Sequence, residues 1–437
     1  MGTEAITVFS DSWNDLPEYE KHLKNLYALR DIVGKNNFSL QADGSLQIMH
    51  YVGFFQRGNT RLQILPKIYA KTDLSGYRES ELNASLDFIY RLLCWSGFLT
   101  HKKLAPQLQG ASATDLLEIF IGIFIDEFID LFKRKIYRTY IQQEENQQFI
   151  KGKILFAETV RRNPILKHRH YVRFDEYMVN NPLNQIFKAL IFELLAKTTS
   201  SANKRKLVTG LSYLHEVDLI GLDSQIFKKI KFDRLNADFE PLFNFAKLFF
   251  HNSQPGLSEG KEKTFSFLVP VHALFENFVA KVLGDFSSNE LKYSYHQPQL
   301  HLGKENGKDV FLLKPDFTIA HKNAVLSILD TKFKYPFNDK GKIEITDSDL
   351  YQLTAYAVRY NCTSLFLIYP KYLGTNIEGS LLAEYLLQSP FGEISLRVIQ
   401  LDIMNDNLSS LKEELQMEIA SIVNEKNKCY LNKPETS

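Results

Sequence analysis

Cysteine is nearly absent. The 437 residues hold three, Cys94, Cys362 and Cys429, and no two of them form a CxxC pair. That excludes zinc ribbons and cysteine-ligated iron–sulfur clusters, and the sparse, odd set fits a reducing cytoplasm. Net charge is lacking too: Lys and Arg number 52, Asp and Glu 51, for a formal charge of +1. No global field draws such a chain to nucleic acid, so any DNA contact relies on local basic patches or on a partner. No long uncharged apolar run exists. The most apolar stretch, 116–132, carries Glu118, Asp126, Glu127 and Asp130. It reads as a buried amphipathic helix rather than a membrane span. The first residues lack the basic-then-apolar pattern of a secretion signal, so the expected location is cytoplasmic.

Several catalytic and nucleotide signatures are missing as well. None of the 11 histidines falls in HExxH, which excludes a zincin. Gly256-Leu257-Ser258-Glu259-Gly260 matches GxSxG, but it lies in a polar loop after a helix-like segment. A nucleophilic serine needs a strand-to-helix elbow there. Gly260-Lys261 nearly forms a phosphate-binding loop, yet Gly256 is one residue too close and Glu262 stands where Ser or Thr is required. The chain therefore carries no nucleotide site of its own.

What is present is aromatic bulk: 33 Phe and 21 Tyr supply apolar area for more than one core. The pattern predicts a mixed α/β chain in three parts. Residues 1–110 are strand-rich, with hairpin turns at Asp43-Gly44 and Gly58-Asn59 and a helix over 81–95. Residues 111–265 are mostly helical, with helices over 114–140, 182–197 and 202–215. The turn-rich stretch 252–261 reads as a linker. Residues 266–437 form a compact α/β core. A helix over 270–283 precedes strands over 291–302, 310–320 and 325–333. A helix over 347–359, strands over 364–369 and 394–401, and a final helix over 408–423 follow.

The chemistry concentrates in this last part. The strand Val325-Leu326-Ser327-Ile328-Leu329-Asp330-Thr331-Lys332 is apolar on both faces until its end, as a central strand is. Alternation puts Asp330 and Lys332 on one face, the core side, where a charge is costly unless paired or bound to a metal. Asp316 lies on the preceding strand, and a turn centred near residue 322 brings it close to the level of Asp330 and Lys332. Two carboxylates on adjacent strands suit a hard divalent cation, and a lysine beside them suits charge growing on a phosphorane. Acid, then acid-x-Lys, is also how a solvated strand-end ion pair looks. The same chain offers Asp238 with Glu259-Gly260-Lys261, though without a strand to hold it. Gln352 and Tyr356 share a helix face at i and i+4, and Glu276 lies on the preceding helix. Elsewhere, Arg161, Arg162, Lys167, His168, Arg169, His170 and Arg173 make a basic run. It can track a phosphate backbone or simply face solvent. Lys204-Arg205-Lys206 reads as solvated helix surface.

Pro315-Asp316, then Asp330-x-Lys332, then Gln352-x-x-x-Tyr356 resembles the PD-(D/E)xK nuclease superfamily in its RecB-like branch. More narrowly the chain resembles the McrC family, nuclease subunits of McrBC-type modified-cytosine-dependent restriction systems. The resemblance is carried by Tyr51-Val52-Gly53, Ile64-Leu65-Pro66-Lys67-Ile68, Gly152-Lys153-Ile154, Asn181-Pro182-Leu183-Asn184, Leu274-Phe275-Glu276 and Asp349-Leu350-Tyr351-Gln352. It runs from about residue 39 to about residue 370. It implies a PD-(D/E)xK restriction-endonuclease-like core. Asp316, Asp330 and the auxiliary acid Glu276 would bind Mg²⁺, Lys332 would be the catalytic lysine, and Gln352 and Tyr356 would position the site or the DNA. It also implies a partner, an McrB-like AAA+ GTPase that recognises and translocates modified double-stranded DNA. The strand-rich region 1–110 would dock on it and stimulate its GTPase. The implied function is a Mg²⁺-dependent endonuclease subunit. A stand-alone RecB-like repair nuclease and a mainly non-catalytic GTPase-activating subunit are the alternatives.

Overall fold

The structure, a computed structural model, describes residues 6–16, 18–69, 79–96, 116–252, 264–284, 291–296, 298–321, 324–338, 340–375, 377, 379–389 and 392–431. The proposed linker and the GxSxG segment lie largely or wholly outside them.

The N-terminal part runs β1 (Ile6–Phe9), β2 (Trp13–Asp15), α1 (Tyr19–Val33), β3 (Phe38–Leu40), β4 (Ser45–Ile48), β5 (Tyr51–Arg57), β6 (Thr60–Leu65) and α2 (Glu79–Trp95). Both anticipated hairpins form: β3 pairs antiparallel with β4, and β5 with β6. Helix α1 is not anticipated by a strand-rich reading. Its buried positions are Asn25, Leu26, Leu29 and Val33, a narrow stripe on an otherwise polar segment, and it ends at Gly34 with φ +89.

The middle part runs α3 (Leu116–Arg134), β7 (Thr139–Gln147), β8 (Lys153–Ile154), α4 (Phe156–Arg162), β9 (His170–Met178), α5 (Pro182–Lys197), α6 (Ser201–Tyr213), α7 (Ser224–Lys229) and α8 (Glu240–Asn252). The start of α5 follows from its sequence: the Asn181 side chain accepts from Asn184 N, and Pro182 occupies the first turn. Two expectations need correction. The long helix stops at Arg134 rather than 140, and 139–178 holds the three-stranded sheet β7-β9-β8. Strand β7 buries none of its side chains and β9 only Val172 and Phe174, so apolar alternation is too short to mark them.

The C-terminal part runs β10 (Thr264–Pro270), α9 (Val271–Leu283), β11 (Leu291–Tyr295), β12 (Leu300–Glu305), β13 (Lys308–Leu313), β14 (Phe317–His321), β15 (Ala324–Thr331), α10 (Asp347–Tyr360), β16 (Ser364–Pro370), β17 (Leu381–Ser389), β18 (Gly392–Leu401) and α11 (Leu408–Leu431). A mixed six-stranded sheet, β11-β14-β15-β16-β18-β17, forms its centre. Helix α10 packs Leu353, Tyr356, Ala357 and Tyr360 on Ile328, Leu365, Leu367, Leu396 and Val398 of this sheet. Helix α9 packs on β15, α2 and α11. The strands anticipated over 291–302 and 310–320 each break in two. His296 has φ +53 at one break, and Pro315, which has no N–H to give a ladder, stands at the other.

The chain divides into two compact units. One comprises Gly97–Gln254 with Met1–Glu4, the other joins Ala5–Ser96 to Pro255–Ser437. The reason is non-local pairing: β10 adds antiparallel to β5, from Thr264↔Arg57 to Pro270↔Tyr51, completing the sheet β1-β6-β5-β10. Gly53 permits this approach. Its φ is +135, and a Cβ there would lie 1.9 Å from Phe267 O. Leu373 N also donates to Ile68 O at 2.8 Å. Among the described residues no helix is long and apolar enough to cross a membrane.

Candidate metal centre

Phe317 pairs with Leu329 across β14 and β15, which sets Asp316 level with Asp330. The register shifts between Ile319 and Ala320, and this irregularity corrects a simple count from the turn. On its other side β15 runs parallel to β16, with Asp330 opposite Leu367. A carboxylate held between two core strands is cut off from water, and Asp330 is only 2% exposed.

Burial and the neighbouring Asp316 push the Asp330 carboxyl up to about 6. Lys332 Nζ stands 2.7 Å from Asp330 Oδ2. The ammonium and this buried carboxylate form an ion pair. Burial would lower the Lys332 ammonium, but Asp330 and then Asp349 outweigh it and hold the ammonium above its ordinary value. Lys332 therefore stays charged.

The anticipated face of α10 closes on this lysine. Lys332 Nζ donates to Gln352 Oε1 at 3.0 Å, Gln352 Nε2 donates to Tyr356 OH at 2.9 Å, and Tyr356 OH donates to Lys314 O at 3.1 Å. The i, i+4 pair thus ties the lysine after β15 to the segment before β14. Tyr356 is buried, and its hydroxyl is held well above the tyrosine range by that burial and by Asp330. Asp349, at the start of α10, lies 3.8 Å from Lys332 Nζ and forms a close ion pair with Lys334. Burial would raise Asp349, but Lys334 and the Thr346 hydroxyl outweigh it and keep its carboxyl low.

On the other side of Asp316 lies a second cluster. Glu276 on α9, His296 after β11 and Asp316 each present one ligand atom, and these atoms lie within 4.8 Å of one another. His296 Nε2 is 2.9 Å from Glu276 Oε1, and His296 N donates to Asp316 O at 2.9 Å. Burial, with Asp316 adding to it, pushes the Glu276 carboxyl up to about 7. Asp316 directs Oδ2 at Thr331, accepting from its N–H at 2.8 Å and its hydroxyl at 2.7 Å.

The structure brings together Glu276, Asp316, Asp330, Lys332, Gln352 and Tyr356. Sequence reasoning did not single out His296, Lys334 or, as a site residue, Asp349. Lys334 repeats the two-residue spacing of Asp330 and Lys332, a signal that was available. Nothing in the sequence marks His296, whose place depends on the strand break. The basic run lies in the other compact unit. There Arg161 and Arg162 share Glu158 at 2.6 Å and 3.0 Å, and Arg162 also covers the Tyr171 ring at 4.4 Å. Lys167 and Arg169 lie in the exposed turn that precedes β9.

A family profile described as McrBC 5-methylcytosine restriction system component matches residues 46–370. No curated protein matches the chain. One similar solved structure is a half-complex from a tetradecameric assembly of Thermococcus gammatolerans McrB AAA+ hexamers with bound McrC. The matched chain is 20% identical, 94% of this chain and 99% of that one are covered, and the TM-score is 0.67. Another is a cryo-EM structure of the Thermococcus gammatolerans McrBC complex, 24% identical over 65% of this chain and 88% of that one, with a TM-score of 0.48. The first likeness establishes a shared fold. The profile takes in well over half of the sequence, and the chain belongs to the McrBC 5-methylcytosine restriction system component family.

Proposed function

We propose that the chain is the metal-dependent DNA endonuclease subunit of a GTP-driven, modified-DNA-specific restriction complex. The observation that carries this reading is Asp316 level with Asp330, with Lys332 2.7 Å from the latter and Glu276 and His296 beside the former.

The residues fit a divalent cation. Asp330 is almost wholly buried with Lys332 at 2.7 Å, and the ligand atoms of Glu276, His296 and Asp316 lie within 4.8 Å of one another. Carboxylates gathered this closely repel one another unless a cation joins them, and carboxylate oxygens suit Mg²⁺. Asp316, Asp330 and Glu276 are the residues to hold it. When bound, such an ion polarises a phosphoryl oxygen and lowers the pKa of a water.

The side chains account for the rest of the chemistry. Lys332 keeps its proton at Nζ and offsets the negative charge that grows on the phosphorane. Gln352 and Tyr356 fix where that ammonium stands, which is a positioning role. Thr331 occupies Asp316 Oδ2 and so fixes the orientation of that carboxylate.

The partner belongs to the same proposal. The solved relative is described as McrC bound to McrB AAA+ hexamers. This chain has no phosphate-binding loop, so GTP hydrolysis falls to an AAA+ partner, which would also select the modified double-stranded DNA. The docking role of 1–110 remains part of the reading. Residues 149–165 add to it, because Phe156 and Val160 are each 73% exposed and Ile165 is 87% exposed. Large apolar side chains gathered on a surface mark interaction sites.

The test is cleavage of modified DNA by the assembled complex with GTP and Mg²⁺. Cutting should require all three and stop with EDTA or with Asp316→Ala. Cutting by the purified chain alone, without nucleotide, would favour the stand-alone repair nuclease.

A further inference from the structure

His296 combines four features that a structural histidine rarely needs together. Its backbone adopts φ +53, a left-handed conformation that costs a non-glycine residue energy. Its N–H donates to Asp316 O at 2.9 Å, which pins it beside the carboxylate at the start of β14. Its ring lies against Tyr295, with centroids 3.9 Å apart, and Tyr295 stacks in turn on Phe317 at 5.4 Å. The ring is therefore held in place from one side.

The fourth feature concerns its nitrogens. Nε2 faces Glu276 Oε1 at 2.9 Å, while Nδ1 is buried and has no hydrogen-bond partner among the described residues. A neutral imidazole has one lone pair to place, and a buried one left over is unfavourable.

We infer that His296 supplies a nitrogen ligand to the ion held by Asp316 and Glu276, making this a mixed oxygen–nitrogen centre that prefers Mn²⁺ to Mg²⁺. The inference rests on the proposed nuclease reading and refines its metal. An imidazole suits borderline transition ions, whereas Mg²⁺ favours oxygen donors and retained waters. The close Glu276 carboxylate would orient the ring, as carboxylates commonly do for ligating histidines.

The test uses the full-length chain with Mn²⁺. Pulsed EPR reads whether a ¹⁴N nucleus couples to the bound ion, and calorimetry reads the affinities of Mn²⁺ and Mg²⁺. The wild-type chain should show imidazole ¹⁴N coupling and bind Mn²⁺ more tightly than Mg²⁺. His296→Ala should abolish the coupling and weaken Mn²⁺ on the order of tenfold or more while changing Mg²⁺ less. Circular dichroism and binding of Mg²⁺ show that the variant is folded. Mn²⁺ that binds in an Asp316-dependent way without ¹⁴N coupling, or coupling that survives His296→Ala, overturns the inference and leaves the nuclease reading intact. If Mn²⁺ and Mg²⁺ both fail to bind, or bind equally well to Asp316→Asn, both are overturned.

Discussion

Lys332 Nζ donates to Gln352 Oε1 at 3.0 Å, so a residue one strand-end away from Asp330 is aimed by a helix that follows later in the chain. The amide passes the constraint to Tyr356 and on to Lys314 O. Removing Tyr356 OH leaves the Gln352 amide unanchored and costs about 1 kcal/mol of stability. Tyr356→Phe is expected to slow single-turnover cleavage about tenfold with little change in DNA affinity, and Gln352→Ala more than that. Unchanged cleavage in both variants would remove this chain of bonds from the account.

Metal binding should depend on pH in a definite direction. Glu276 titrates at about 7 and Asp330 at about 6, both raised by burial first and Asp316 second. A raised carboxyl favours the apo fold fully below its ordinary value and loses that contribution as pH rises through the folded value. Cations need the ionised form, so affinity should climb between about pH 5.5 and 8 with proton release on binding. Calorimetry in two buffers of different ionisation enthalpy measures this. A pH-independent affinity would show that neither carboxyl is a ligand.

In the other unit Glu118 anchors the start of α6. It accepts from Thr198 Oγ1 at 2.5 Å, Thr199 N at 2.6 Å, Thr199 Oγ1 at 3.0 Å and Asn203 Nδ2 at 2.8 Å. Burial would raise its carboxyl, but these donors outweigh it and hold it below the usual range. Its contribution is therefore present above the ordinary glutamate value and is lost as pH falls through the lower, folded one. Glu118→Ala should cost about 2–3 kcal/mol in denaturant unfolding, because several buried donors lose their acceptor. A loss within experimental error would contradict this.

Gly53 tests the joining of the N-terminal strands to β10. A methyl group there meets Phe267 O at 1.9 Å, and φ +135 is unfavourable for any L side chain. Gly53→Ala should destabilise by roughly 2 kcal/mol or more, since strain and a lost strand contact act together. Thermal unfolding of the variant checks it, and an unchanged Tm would mean that β5 and β10 do not meet closely.

What could be read directly was local. Apolar periodicity and caps located α5, α9 and α10. The continuous run 325–329 identified β15 as a central strand, and the spacing of Asp316, Asp330 and Lys332 predicted their meeting. What could not be read was long-range or weakly patterned. The pairing of Thr264–Pro270 with β5 has no local signature, and it decides the division into units. Strand β7 has no buried face, β9 offers only Val172 and Phe174, and α1 buries too few side chains to show a clear period. His296 enters the site through a strand break whose left-handed residue is not glycine.

The most direct test of the central claim separates the two activities of the complex. Lys332→Ala removes the ammonium but leaves both carboxylates and the exposed apolar face of 149–165. In the assembled complex it should reduce cleavage of modified DNA by at least about 100-fold while the partner's GTP hydrolysis is stimulated as before. Cleavage at the wild-type rate, with the same stimulation, would contradict the account.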